Sequence, residues 1–114
     1  MAGTIDAATF RALQDAAGAD FVGELVGTFL EEAPRMLAEL KSAFDAGDAE
    51  RFRRTAHSLK SNGLTFGALA FAGEAKALEL AGLATVRARG GDPLSSLTEE
   101  YGRAAAALEA LARA

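Results

Sequence analysis

Asp48-Ala49-Glu50-Arg51-Phe52-Arg53-Arg54-Thr55-Ala56-His57-Ser58-Leu59-Lys60-Ser61-Asn62-Gly63-Leu64-Thr65-Phe66 reads as one helix with two unlike faces. At about 100° per residue, His57 shares a face with Arg53, Arg54, Lys60, Ser61 and Leu64. Phe52, Thr55, Leu59 and Phe66 fall on the opposite side, flanked by Ala56. The apolar side seeks a core, so the imidazole faces water. His57 is the only histidine in the chain. An exposed ring nitrogen can be a nucleophile toward phosphorus, and a buried one cannot meet a protein-bound phosphoryl group. The rival reading is a surface histidine with no chemical role.

Working outward, Gly47 and Asp48 form a helix stop followed by an N-cap. Before them, Val22, Leu25, Val26, Phe29, Ala33, Met36, Leu37, Leu40 and Phe44 recur at three-four spacing. That stripe predicts a long helix over Asp20–Ala46, in phase across Pro34, where the missing N–H predicts a kink. A short helix is expected over Asp6–Ala17, with Asp6 as N-cap and Gly18 as stop. Beyond Gly67, a helix over Ala68–Val86 points Phe71, Ala75 and Leu78 inward. Ala88-Arg89-Gly90-Gly91-Asp92-Pro93 is a turn, with Asp92 as N-cap and Pro93 at the first helical position. The last helix carries Leu94, Leu97, Tyr101, Ala104, Leu108 and Leu111. Four long amphipathic helices on short connections predict an all-α fold, an antiparallel four-helix bundle, with an additional short N-terminal helix capping one end. No linker divides the chain, so one domain is expected over residues 1–114.

Composition narrows the chemistry. The chain has 114 residues, half of them apolar, enough to bury a core. It lacks cysteine, which removes disulfides and thiolate chemistry, and a single histidine leaves no metal cluster to build. A metal-dependent helical enzyme is therefore disfavoured, and no metal or cofactor is expected. No Gly-x-x-x-x-Gly-Lys-(Ser/Thr) loop is present, so the chain is not a kinase by itself. A net charge of -4 argues against nucleic-acid binding. No apolar run is long enough for a membrane span, and Met1-Ala2-Gly3-Thr4-Ile5-Asp6 lacks the regions of a signal peptide. A cytoplasmic protein is the default expectation, and the Ala, Gly and Arg content fits a bacterial source. Within this acidic chain the His57 helix is locally basic through Arg51, Arg53, Arg54 and Lys60. That is either an ordinary solvated face or a landing site for an anionic group.

The segment Ala56-His57-Ser58-Leu59-Lys60-Ser61-Asn62-Gly63-Leu64-Thr65-Phe66-Gly67-Ala68 resembles the signature of the histidine phosphotransfer (HPt) family. His57, Leu59, Lys60, Gly67 and Ala68 match its pattern. Ser61 stands where the family usually has glycine, and Asn62-Gly63 replaces a small polar pair. The resemblance implies a helical bundle that accepts a phosphoryl group on His57 from a receiver-domain aspartate, or a histidine kinase, and passes it to another receiver. It implies a phosphocarrier without kinase or hydrolase activity, with Mg confined to the receiver partner. By the same pattern Glu79 would accept a hydrogen bond from the imidazole and fix its tautomer, and Lys60 would reach the phosphoryl oxygens. Solvated side chains are the alternatives for both.

Ser61 either narrows the space above the ring or offers it a hydroxyl. Leu64 is a partner contact or incidental exposure. Arg53, Arg54, Ser61 and Leu64, with part of the preceding helix, form the expected docking face for response-regulator receivers. A hybrid histidine kinase is a further expected partner, and a monomer the expected state. The alternative function is a degenerate bundle that binds receivers without carrying phosphate.

Overall fold

The computed structural model describes residues 4–113, so the first three residues of the N-terminal stretch lie outside the described residues. Among the described residues there are six helices and no strand. They are α1 (Ala7–Ala17), α2 (Ala19–Ala46), α3 (Ala49–Phe66), α4 (Leu69–Ala81), α5 (Leu83–Ala88) and α6 (Ser95–Arg113). The long axis of the molecule is 42 Å. The 28 residues of α2, at about 1.5 Å rise each, span that length.

Capping groups set the breaks. Asp6 accepts a hydrogen bond from the Thr9 amide at 3.0 Å to start α1, and Asp48 accepts from the Arg51 amide at 3.1 Å to start α3. Gly47 and Gly67 close α2 and α3 in the left-handed conformation, with φ of 73° and 80°. Two-residue connections then force α2, α3 and α4 to run alternately. α2 packs on α3 and α6, and α4 packs on α3 and α6, closing a four-helix bundle. The short α1 lies against α2 and α3. Its entry is stitched to the α3–α4 turn by the Asp6 amide donating to the Gly67 carbonyl at 2.8 Å.

The core runs between these four helices. Phe52, Phe71, Leu40, Leu59, Leu97 and Leu108 are its largest fully buried side chains. Phe29 stands at its aromatic centre, with ring centroids 5.2 Å from Phe66, 6.1 Å from Phe71 and 6.0 Å from Tyr101. α2 continues through Pro34 as one helix. The carbonyl that Pro34 leaves without its helical donor is that of Leu30. The Tyr101 hydroxyl of α6 donates to it at 3.4 Å.

Three expectations need correction. The helix after Gly67 does not run unbroken to Val86. Gly82 interrupts it at φ 80°, ψ 159°, because one continuous helix would turn Leu83 away from the stripe of Phe71, Ala75 and Leu78. The break re-phases the chain and buries both Leu83 and Val86. The last helix starts at Ser95 rather than at Pro93. Asp92 caps a turn there, accepting from the Leu94 amide at 3.3 Å. Leu111, in the last turn of α6, is exposed rather than inward. On α2 the expected stripe faces inward, with Leu25, Met36, Leu37 and Phe44 half-buried at its margins.

Candidate functional site

His57 sits at the middle of α3, one turn before Lys60, and Glu79 sits in the last turn of α4. Three features bring them together. Ala56 and Leu59 are fully buried on either side of His57 and fix the roll of α3. On α4, Ala75 and Leu78 do the same for Glu79. Gly63 lets the two helices approach, for a Cβ placed there would stand 2.9 Å from the Phe71 ring and 3.1 Å from the Ala72 Cβ. The imidazole is 54% exposed, while the Glu79 side chain is 13% exposed and Lys60 is 22% exposed. The ring therefore stands outward, with a carboxylate tucked beneath it.

The contacts are specific. His57 Nδ1 lies 2.8 Å from Glu79 Oε2. Lys60 Nζ lies 2.9 Å from Glu79 Oε1. The Lys60 ammonium is the first cause that holds Glu79 below the usual carboxylate range, burial opposes it, and the bond to His57 assists. An ionised carboxylate can only accept. The proton of the 2.8 Å contact therefore belongs to Nδ1, which donates to Glu79, and the lone pair falls on Nε2 at the solvent side. The arrangement leaves Nε2 free to act as a nucleophile and keeps a negative charge at the far edge of the ring, where it would stabilise positive charge developing on an attacking imidazole.

Lys60, assigned by the family pattern to phosphoryl oxygens, stands in this structure with its ammonium paired to Glu79 Oε1. Arg53 is exposed and pairs with Glu50 at 3.7 Å. Arg54 lines a shallow groove of about 300 Å³ with Met36, Glu39, Arg51, Thr55 and Ser58. Ser61 is exposed, and Leu64 is 49% exposed on the last turn of α3. Two participants were not anticipated. Arg51 bonds Glu39 and donates to Ser42 Oγ at 3.1 Å, tying α3 to α2 beside the site. Gly63 sets the α3–α4 approach. Its only sequence signal is a glycine inside a helical pattern. No group of three or more metal-ligating side chains forms among the described residues.

Fold and site together define a class, a helical bundle that presents one carboxylate-tethered histidine to solvent. The family model described as Hpt domain matches residues 24–114, and the chain belongs to that family. The crystal structure of histidine-containing phosphotransfer protein B (HptB) from Pseudomonas aeruginosa PAO1 superimposes with a TM-score of 0.76 at 27% identity, over 99% of this chain and 94% of that one. No curated protein matches the chain significantly. Hpt proteins are phosphocarriers that work with receiver domains and histidine kinases, and a phosphotransfer role in phosphorelays follows for this chain. No helix among the described residues is long and apolar enough to cross a membrane.

Proposed function

We propose that His57 Nε2 is the phosphoryl carrier. It accepts the group from the aspartate of one receiver, or from a histidine kinase, and returns it to another receiver. The observation that carries this reading is the 2.8 Å contact of Nδ1 with the ionised Glu79, which leaves Nε2 nucleophilic and solvent-facing. In the forward step the Nε2–P bond forms as the aspartyl O–P bond breaks, and the electron pair leaves on the aspartate oxygen. Magnesium and the acidic pocket belong to the receiver. This chain contributes the nucleophile, its orientation and charge compensation. The chain adds no kinase or hydrolase activity of its own, acts as a monomer, and works in the cytoplasm.

The docking face proposed for receivers comprises Arg53, Arg54, Ser61 and Leu64 around the imidazole, with the adjoining surface of α2. Leu64 supplies an apolar centre and the arginines a charged rim. Incubation of the chain with a phosphorylated receiver tests the function. Acid-labile, alkali-stable label is expected on wild type and none on His57→Gln, with unchanged thermal stability because the imidazole is not in the core. Equal labelling of His57→Gln would overturn the assignment. A wild type that binds receivers yet takes no label would leave a docking module instead.

A further inference from the structure

We propose that Ser61 is a ligand of the transferred group, its hydroxyl donating a hydrogen bond to a phosphoryl oxygen carried on His57 Nε2. This rests on the carrier reading of His57. It assigns to this chain a contact made by the residue that replaces a glycine of the family pattern.

The geometry of α3 selects it. On a helix, only side chains three or four positions away meet a given residue. For His57 these are Arg53, Arg54, Lys60 and Ser61. Helical side chains lean toward the N-terminus, so a residue covers the turn before its own Cα. Lys60 and Ser61 therefore lean back over the imidazole, while Arg53 and Arg54 lean away from it. Lys60 is occupied at Glu79 Oε1, 2.9 Å away, on the Nδ1 edge of the ring. Arg53 leans to Glu50 at 3.7 Å. Ser61 is left over the open edge, exposed to solvent.

The state of its hydroxyl points the same way. Helical serines and threonines commonly turn back to the carbonyl four residues earlier. Thr65 does so onto Ser61 O at 3.0 Å, and Thr98 onto Leu94 O at 3.1 Å. The Ser61 hydroxyl makes no such bond and has no hydrogen-bond partner among the described residues. It is a solvent-exposed donor not tied to its own helix, one turn from the atom proposed to receive a dianionic group. An O–H to an anionic oxygen is among the stronger neutral-donor contacts.

The experiment measures how label partitions at equilibrium between a receiver aspartate and His57, using the full chain with Ser61→Ala, Ser61→Gly and Ser61→Thr. Loss of a bond to an anionic oxygen should shift the partition about tenfold toward the receiver in both Ala and Gly. Thr, which keeps the hydroxyl, should stay within about twofold of wild type. The phosphohistidine ³¹P resonance should move in Ala and not in Thr. A labelled chain whose partition is unmoved by Ser61→Ala overturns this inference alone. So does a shift confined to Gly, which would mean that bulk, not the hydroxyl, matters. A wild type that takes no label overturns the carrier reading, and this inference with it.

Discussion

Glu79 serves two donors with its two oxygens, an imidazole N–H and an ammonium, and how far it depends on the ammonium can be read from pH. Its carboxyl lies below its ordinary 4.5, chiefly because of Lys60. A carboxylate whose folded pKa is depressed stabilises the fold fully above the unfolded value. That contribution fades as pH falls through the folded one. Melting temperatures taken from pH 7 downward should therefore begin to drop near the ordinary carboxylate value. The drop should be shallower in Glu79→Gln, where this contribution is already gone. An equally steep fall in both would mean that the triad adds nothing to acid stability. The same variant tests orientation. A Gln side chain can turn its amide N–H toward Nδ1, which releases the tautomer. Imidazole ¹⁵N shifts should report one tautomer in wild type and a mixture in Glu79→Gln, with phosphotransfer slowed about tenfold or more. Lys60 acts one step further back, and in Lys60→Ala the Glu79 carboxyl should titrate at higher pH by ¹³C NMR. An unmoved Glu79 titration would detach Lys60 from this role.

Between elements, the decisive dimension is the approach of α3 to α4. Gly63→Ala would set a methyl 2.9 Å from Phe71 and 3.3 Å from the Ala68 carbonyl, and such overpacking costs about 1–3 kcal/mol. The helices should also part enough to stretch the His57–Glu79 contact, so transfer should fall together with chemical denaturation midpoint. Gly73→Ala on the outer face of α4, with nothing within 4 Å of the new methyl, should instead stabilise by about 0.5–1 kcal/mol. Similar effects of the two substitutions would remove the packing argument. These contrasts mark what the sequence could convey. Apolar spacing located α2 and α3, and it put His57 outward, because periodicity encodes the direction of a side chain relative to the core. The same spacing was silent on Gly82, since Leu83 comes into register with the stripe only through a non-helical φ. It was also silent on Lys60, whose choice between an incoming anion and Glu79 depends on the lateral placement of another helix. Glu79 was found from family resemblance, for a glutamate at the margin of an apolar stripe looks like any solvated one. α4 shows a further limit of patterning. Leu69 and Leu80 are exposed while Phe71, Ala72, Ala75 and Leu78 are buried, so its apolar residues surround the axis.

Across the whole molecule, closure of the bundle depends on α6 returning to α2. The chain does this with Leu97, Ala104 and Leu108 in the core and with Tyr101, whose hydroxyl donates to the carbonyl vacated at Leu30. Burial raises the Tyr101 hydroxyl above its ordinary 10.0, and Glu109 adds to this. A raised folded pKa means that the associated stability is present below the unfolded value and is lost as pH climbs through the folded one. Tyr101→Phe should cost about 1 kcal/mol in wild type, the usual net worth of a hydrogen bond. The loss should nearly vanish in a Pro34→Ala background, where the alanine's own backbone amide supplies the missing donor. Additive losses in the double variant would disconnect the two residues. Tyr101 has one more consequence. It is the only tyrosine, and the chain has no tryptophan. All tyrosine emission therefore originates at the α2–α6 seam, far in sequence from His57, and gives a label-free optical gauge of that seam alone. If the bundle melts as one unit, emission and far-ultraviolet circular dichroism will trace the same curve. A last helix that peels away first will change the light before the helicity.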